Sequence, residues 1–265
     1  MDLARVSSCT YPLREQPVDY ALTLTAEAGL GKVDLWGGGT HFKLNTPECN
    51  FADLRATADQ RGICIANIGS YPGRLFAHED PLLRDAELAM LKAVLYAARA
   101  LGSRSVRVLP GVGEDPAQIE RLIPCFAEGA QLAEELGVYM GMENHAGSLA
   151  GDPEVVLKLC QGVGSKHFGV LYEPCNLMHG GQCYQRAFEL LQDYIVHIHI
   201  KDGRHGPDGW QRCHLGEGEI DYNWVIRALE SISYTGDYAL EYEICDLEPI
   251  ETGLKKWVAT FQSLG

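Results

Sequence analysis

Four short apolar runs in this 265-residue chain each end in a side chain that can bind a cation: Glu143, Glu173, His199 and Glu241. The runs read Val138–Glu143 (VYMGME), Phe168–Glu173 (FGVLYE), Ile195–His199 (IVHIH) and Tyr238–Glu241 (YALE). Successive strand side chains point to opposite faces. Met140 and Met142, Val170 and Tyr172, Ile198 and Ile200, and Tyr238 and Leu240 therefore share the face opposite the ligand-type residue. The ligand's own face carries small residues such as Gly141, Gly169 and Ala239. A parallel barrel needs this pattern, with bulk outward to the helices and the other face converging at the C-terminal mouth. Three carboxylates and one imidazole on one mouth repel one another unless a cation sits between them. The pattern predicts a metal centre.

Further polar residues sit at the same strand ends. His145 lies two positions after Glu143 on the same face, and Asn176 follows the Glu173-Pro174 turn, placed to reach back over the site. His197 shares a face with His199 but lies about 6–7 Å deeper by strand rise, so it is expected to be a hydrogen-bonded interior histidine. Lys201 continues the inward series. Asp202, Arg204, His205, Arg212 and His214 then form the most basic stretch of the chain, read as an electropositive rim for substrate hydroxyls, a carboxylate or a phosphate. His145, Asn176, Lys201 and Arg204 are the expected substrate contacts, and Glu243 is an expected support beside Glu241.

The elements that must position these residues alternate along the whole chain. Expected strands are 4–9, 32–35, 63–68, 105–109, 138–143, 168–173, 195–200 and 238–243. Eight strands about 33 residues apart predict an α/β fold, a single (β/α)8 TIM barrel occupying residues 1–265 as one domain. Asp80-Pro81, Asp115-Pro116, Asp152-Pro153 and Thr46-Pro47-Glu48 read as helix starts, and Gly62, Gly102, Gly137 and Gly236 as helix ends. Helices are expected over 86–101 and 119–136, the latter with a bend at Pro124, and an extra one over 249–263. An open doubly wound sheet is disfavoured because no G-x-G-x-x-G loop follows the first strand. Gly37-Gly38-Gly39 reads as a flexible mouth loop.

The net charge of −14, with no basic block, argues against nucleic acid or an anionic membrane as partner. No run reaches the roughly 18 apolar residues of a membrane span, and the start lacks the basic and apolar regions of a signal peptide. Nine scattered cysteines, never spaced C-x-x-C, read as buried thiols of a reduced, cytoplasmic protein. A homo-oligomer is compatible with the sequence but not specified by it.

The segments GMENHAG, FGVLYEPCNLMHGG, IVHIHIKDG and LGEGEIDYNWVIRALESISYTGDYALEYE resemble the sugar phosphate isomerase/epimerase family of xylose isomerase-like TIM barrels. The resemblance covers roughly residues 103–243, with a looser match through KVDLW and the Ile68–Gly73 turn. It implies metal ligation by Glu143, Glu173, His199 and Glu241, and proton exchange with the substrate carbon by Glu143 and Glu241. Two positions depart from the family's ketose 3-epimerases: Glu173 stands where Asp is usual, and Asn176 stands where a substrate-contacting histidine is usual. The trinuclear zinc site of the superfamily's apurinic endonucleases is not expected, because the ends of strands three and four lack histidine.

The expected chemistry is proton abstraction α to a carbonyl of a small carbohydrate, through a metal-stabilised enediolate, giving isomerisation or epimerisation. The oxygen-rich ligand set favours Mn²⁺, with Mg²⁺ or Co²⁺ as alternatives. A metal-dependent lyase acting on a keto-sugar or keto-inositol would share the first step and differ only in expelling a hydroxyl. A barrel that binds sugar without catalysis is the reading from another class, and the intact ligand set speaks against it.

Overall fold

The computed structural model describes residues 2–44 and 51–264. Eight parallel strands close into a barrel: β1 (Val6–Cys9), β2 (Lys32–Trp36), β3 (Cys64–Gly69), β4 (Ser105–Val108), β5 (Tyr139–Glu143), β6 (Phe168–Tyr172), β7 (Ile195–Ile200) and β10 (Tyr238–Leu240). Each pairs with its neighbour in sequence order, and β10 closes the ring between β7 and β1. Between β7 and β10 stands an antiparallel hairpin, β8 (Asp202–Gly206) with β9 (Gly209–Cys213), which the strand pattern did not anticipate.

The outer faces of the strands read as expected. Val33, Leu35, Val106, Met140, Val170, Ile198 and Leu240 are fully buried in one continuous apolar core against the helices. Those helices are α1 (Val18–Glu27), α2 (Phe51–Gln60), α3 (Pro81–Leu101), α4 (Ile119–Leu136), α5 (Pro153–Val163), α6 (Pro174–His179), α7 (Tyr184–Leu191), α8 (Tyr222–Ser231) and α9 (Ile250–Gln262).

Asp80 and Asp152 cap α3 and α5 by accepting from backbone N–H groups of the first turn, each ahead of a proline. Asp115 caps a 3₁₀ turn that leads into α4, and α4 runs unbroken through Pro124. The Thr46-Pro47-Glu48 start lies outside the described residues. Gly102 and Gly137 end α3 and α4 in the left-handed region.

Gly236 does not end a helix. After α8 the left-handed position falls to Ser233, at φ 56°, and Gly236 instead makes room for the Tyr234 ring, which a Cβ would strike. Gly37-Gly38-Gly39 is likewise packed: a Cβ on Gly37 would lie 2.7 Å from the Ser70 backbone, and one on Gly38 would meet the Trp36 ring. Of the eight described cysteines, all free, Cys9, Cys160, Cys175 and Cys213 are buried. Cys64, Cys183 and Cys245 are exposed, so the expectation of uniformly buried thiols is corrected.

Inside the barrel the side chains are unusually polar for this architecture, which ordinarily fills its centre with branched apolar residues. Ser7, Asp34, Asn67, Ser105, His197 and His199 are all essentially inaccessible. Two irregular registers shape this interior. Val33 pairs with Ile65 but Asp34 with Asn67, so β3 bulges at Ala66; Val170 pairs with Ile195 but Leu171 with His197, so β7 bulges at Val196.

Candidate metal centre

Glu143, Glu173, His199 and Glu241 come together at the C-terminal ends of β5, β6, β7 and β10. Each offers a ligand-type atom within 4.8 Å of the others, and all four are buried. Glu143, His199 and Glu241 line the floor of a cavity of about 390 Å³ that opens at the barrel mouth, and Glu173 is buried beside them.

Glu173, fully buried, ends β6 and caps α6: its Oε1 accepts from the Cys175 and Asn176 N–H groups at 3.0 and 3.4 Å. Pro174 opens that helix, so the turn expected there is a helix start. The other oxygen, Oε2, has no hydrogen-bond donor, although the Lys201 ammonium lies 3.1 Å away, off the bonding direction. His199 has a matching orphan. Its Nε2 meets Asp34 Oδ2 at 2.9 Å, while Nδ1 faces Glu143 Oε1 at 3.2 Å and Glu241 Oε2 at 3.4 Å without a hydrogen bond. Buried polar atoms are rarely left unpaired. Two orphans facing one cluster of carboxylates fit a divalent cation.

Asp34 accounts for the orientation of His199. It reaches across the barrel from β2 and also accepts from His197 Nε2 at 2.8 Å. The carboxylate is an acceptor, so both Nε2 atoms carry a proton, and in the neutral ring that a metal requires the bare nitrogen of His199 is Nδ1. Asn67 donates to both Asp34 oxygens at 3.0 Å, and Ser105 donates to Asn67 Oδ1 at 2.7 Å. This carboxylate–imidazole arrangement is the usual way of fixing a metal-binding histidine. His197 is thus a hydrogen-bonded interior residue, as its depth suggested.

The electrostatics show a site short of positive charge. Burial pushes the Glu173 carboxyl up to about 8, and the ammonium of Lys201 only partly opposes it. Burial also works against ionised Glu143, but the Arg107 guanidinium 2.7 Å away, with His199, brings that carboxyl down to about 2. Burial opposes charge on His199 and Lys201 as well, yet the facing carboxylates, Glu241 foremost for His199 and Glu173 for Lys201, raise both well above their ordinary values. Lys201 also donates to Glu241 at 2.7 Å and to Glu243 at 2.9 Å. A carboxyl still raised to about 8 beside an ammonium leaves room for further positive charge.

Of the expected substrate contacts, His145, Asn176 and Lys201 line the cavity and Arg204 does not. Arg204 lies on the exposed hairpin and reaches the Glu217 carbonyl. The basic rim is mostly committed elsewhere: His205 pairs with Glu219, His214 with Glu248, and the Asp202 carboxylate gathers the N–H groups of Gly203, Gly216 and Gly218. Only Arg212 of that stretch faces the cavity, held by Glu243 at 2.9 Å. Asp34, Arg107 and the Trp36–Tyr71 pair were not expected at the site. Their signal was a charged residue inside an apolar strand (KVDLW, SVRV), which by itself names no partner.

A family model described as xylose isomerase-like TIM barrel matches residues 22–263. The chain belongs to the xylose isomerase-like TIM barrel family. Among curated relatives, an inosose dehydratase from Glaesserella parasuis serovar 5 is 26% identical over 142 residues, 47% of each chain. The matched segments span less than half the length of the curated relatives.

Among solved structures, a D-psicose 3-epimerase with D-tagatose from Clostridium cellulolyticum H10 superposes with a TM-score of 0.78 at 15% identity. That match covers 98% of this chain and 99% of that one. The IOLI protein, solved with a zinc atom, gives a TM-score of 0.78 at 16% identity over 97% and 96% of the two chains. At such identities the likeness to these two structures is one of fold. Among the described residues, no helix is long and apolar enough to cross a membrane.

Proposed function

We propose that this chain is a divalent-metal-dependent isomerase or epimerase of a keto-sugar, acting by proton removal from the carbon beside a carbonyl. The observation that carries the reading is the buried convergence of Glu143, Glu173, His199 and Glu241, three of which (Glu143, His199 and Glu241) line an open cavity. These four side chains would hold the ion, with His199 offering Nδ1. A divalent ion bound there would supply Lewis-acid chemistry, polarising a substrate carbonyl and offsetting negative charge on its oxygen. Mn²⁺ suits the three carboxylates and one imidazole best.

The proton work falls to Glu143 and Glu241. They enter from β5 and from the end of β10, with β6 and β7 between them on the ring, so they approach a substrate from different sides. Burial disfavours charge on Glu241, but Lys201 and His199 hold it well below the usual carboxylate range, as Arg107 does Glu143. Both are therefore ionised and able to accept a proton at neutral pH; one takes it from the substrate and the other returns one. Asn176 donates to the Asn144 carbonyl at 3.1 Å, which fixes its amide at the cavity wall beside His145.

A lyase shares the first step, and the partial likeness to an inosose dehydratase makes it the second reading. The test is NMR of a panel of ketoses and keto-acids in D₂O with metal-loaded protein. The expected result is deuterium on the carbon beside the carbonyl, with turnover at least about 10³-fold lower in Glu143→Gln and in Glu241→Gln. Loss of water from the product would establish the lyase instead. Neither exchange nor turnover across the panel, with metal bound, would leave a binding role.

A further inference from the structure

The cavity is balanced in charge where the chain is not. The whole sequence carries 36 acidic against 22 basic residues. The cavity wall carries Asp34, Glu143, Glu241 and Glu243 against Arg74, Arg107, Lys201 and Arg212, four of each sign. Buried Glu173 adds a fifth acidic side chain just beneath, and a divalent ion held there would bring two positive charges. Three of the four cations are spoken for: Arg107 by Glu143, Lys201 by Glu173, Glu241 and Glu243, and Arg212 by Glu243. Arg74 has no carboxylate and no hydrogen-bond acceptor among the described residues, and it is exposed at the mouth.

The backbone that presents Arg74 is held on both sides. The Leu109 N–H donates to the Pro72 carbonyl at 2.8 Å, and the Gly73 N–H donates to Glu87 Oε1 at 2.7 Å. Gly73 sits at φ 113° directly against the Leu109 backbone, where a Cβ has no room. Phe76, fully buried, anchors the following turn edge-on against Phe126 at 5.1 Å. A fixed loop thus offers one unpaired guanidinium to the cavity. Beside it, Tyr71 lies over Arg107 at 4.4 Å and accepts from the Trp36 indole at 2.8 Å, which makes a firm aromatic wall. A neutral sugar needs no such charge at the outer end of its site. A guanidinium fork matches carboxylate or phosphate oxygens.

We infer that the substrate is an anionic keto-sugar whose terminal carboxylate or phosphate is received by Arg74 while its carbonyl end faces the Glu143–Glu241 floor. This rests on the proposed reading of the floor as the reacting end. The test is calorimetric titration of metal-loaded protein with three probes: D-fructose, 5-keto-D-gluconate and D-fructose 6-phosphate. At least one anionic probe is expected to bind about 10-fold or more tighter than fructose, as one charge-assisted contact provides. Arg74→Gln is expected to abolish that preference and leave fructose affinity and Tm unchanged. Preference for the gluconate alone identifies a carboxylate, and for the phosphate alone a phosphate.

Equal affinity for all three probes, or no binding of either anion, overturns the inference. So does a preference that survives in Arg74→Gln, because the anion would then be held by the ion or by another cation. Binding is read without turnover. Arg74-dependent selectivity without deuterium exchange would uphold the anion site and sink the isomerase reading alone.

Discussion

His197 and His199 turn Nε2 to the same oxygen of Asp34, at 2.8 and 2.9 Å, and this sets what each ring can do. Asp34→Asn can reverse that donor pattern and protonate His199 Nδ1. Metal affinity is expected to fall about 10–100-fold, measured by competition with a chelating dye. His199→Ala should weaken it further, whereas His197→Ala should lower Tm and spare metal binding; the reverse outcome for the two histidines would exchange their roles. Lys201 stands among three carboxylates almost without solvent contact. Lys201→Met removes a buried cation from its partners, a change that typically costs about 3–5 kcal/mol. The metal-free variant should therefore melt well below wild type, and added divalent ion should restore much of the loss. Equal losses with and without metal would mean that Lys201 and the ion do not share the same carboxylates.

The hairpin β8–β9 is the element that strand periodicity missed, and it carries Arg212 to the cavity wall. Its base is organised by Asp202, which accepts backbone N–H groups of Gly203, Gly216 and Gly218 at 2.9–3.0 Å. Gly218 approaches that carboxylate so closely that a Cβ would collide with it. Gly218→Ala is expected to lower Tm and to open the hairpin to proteolysis between residues 202 and 213, with far-UV circular dichroism unchanged. Wild-type protease resistance would show that the hairpin stands without Asp202. The barrel strands were legible because each alternates or runs apolar against helices. The hairpin reads GRHGPDGWQR, too polar and glycine-rich to be told from a loop.

At the scale of the whole molecule, one group outside the acidic centre ties stability to pH. His41 donates through Nε2 to the Leu13 and Gln16 carbonyls at 3.1 Å, and its Nδ1 meets the Thr10 hydroxyl at 2.9 Å. Thr10 Oγ1 also accepts from the Trp36 N–H at 2.8 Å, which leaves its proton for Nδ1 and favours the neutral ring. Burial holds the His41 pKa below its ordinary 6.5, and the two carbonyls only partly oppose it. The unfolded chain therefore binds the extra proton first. The stabilising contribution is complete above about pH 6.5 and is lost as pH falls from there through the folded value. Between about pH 7 and about pH 5.5, wild type should lose more Tm than His41→Gln. Parallel curves would remove His41 as the cause.

Repetition of a local pattern made the barrel and its floor readable. Glu143, Glu173, His199 and Glu241 each end an apolar run with the same parity, and closing the ring brings equivalent strand ends together. Contacts between side chains far apart in sequence were not readable in this way. Asp34 and His199 are 165 positions apart and meet only across the closed barrel, and Asp34 pairs with Asn67 only because β3 bulges at Ala66. Arg204 and Arg212 carry the same charge in the same stretch, yet only Arg212 faces the cavity, because the hairpin register pairs Arg204 with Gln211 and Arg212 with Gly203 and so puts the two on opposite faces. Periodicity fixes the side of a strand on which a residue stands; closure, bulges and hairpin pairing decide what it meets there.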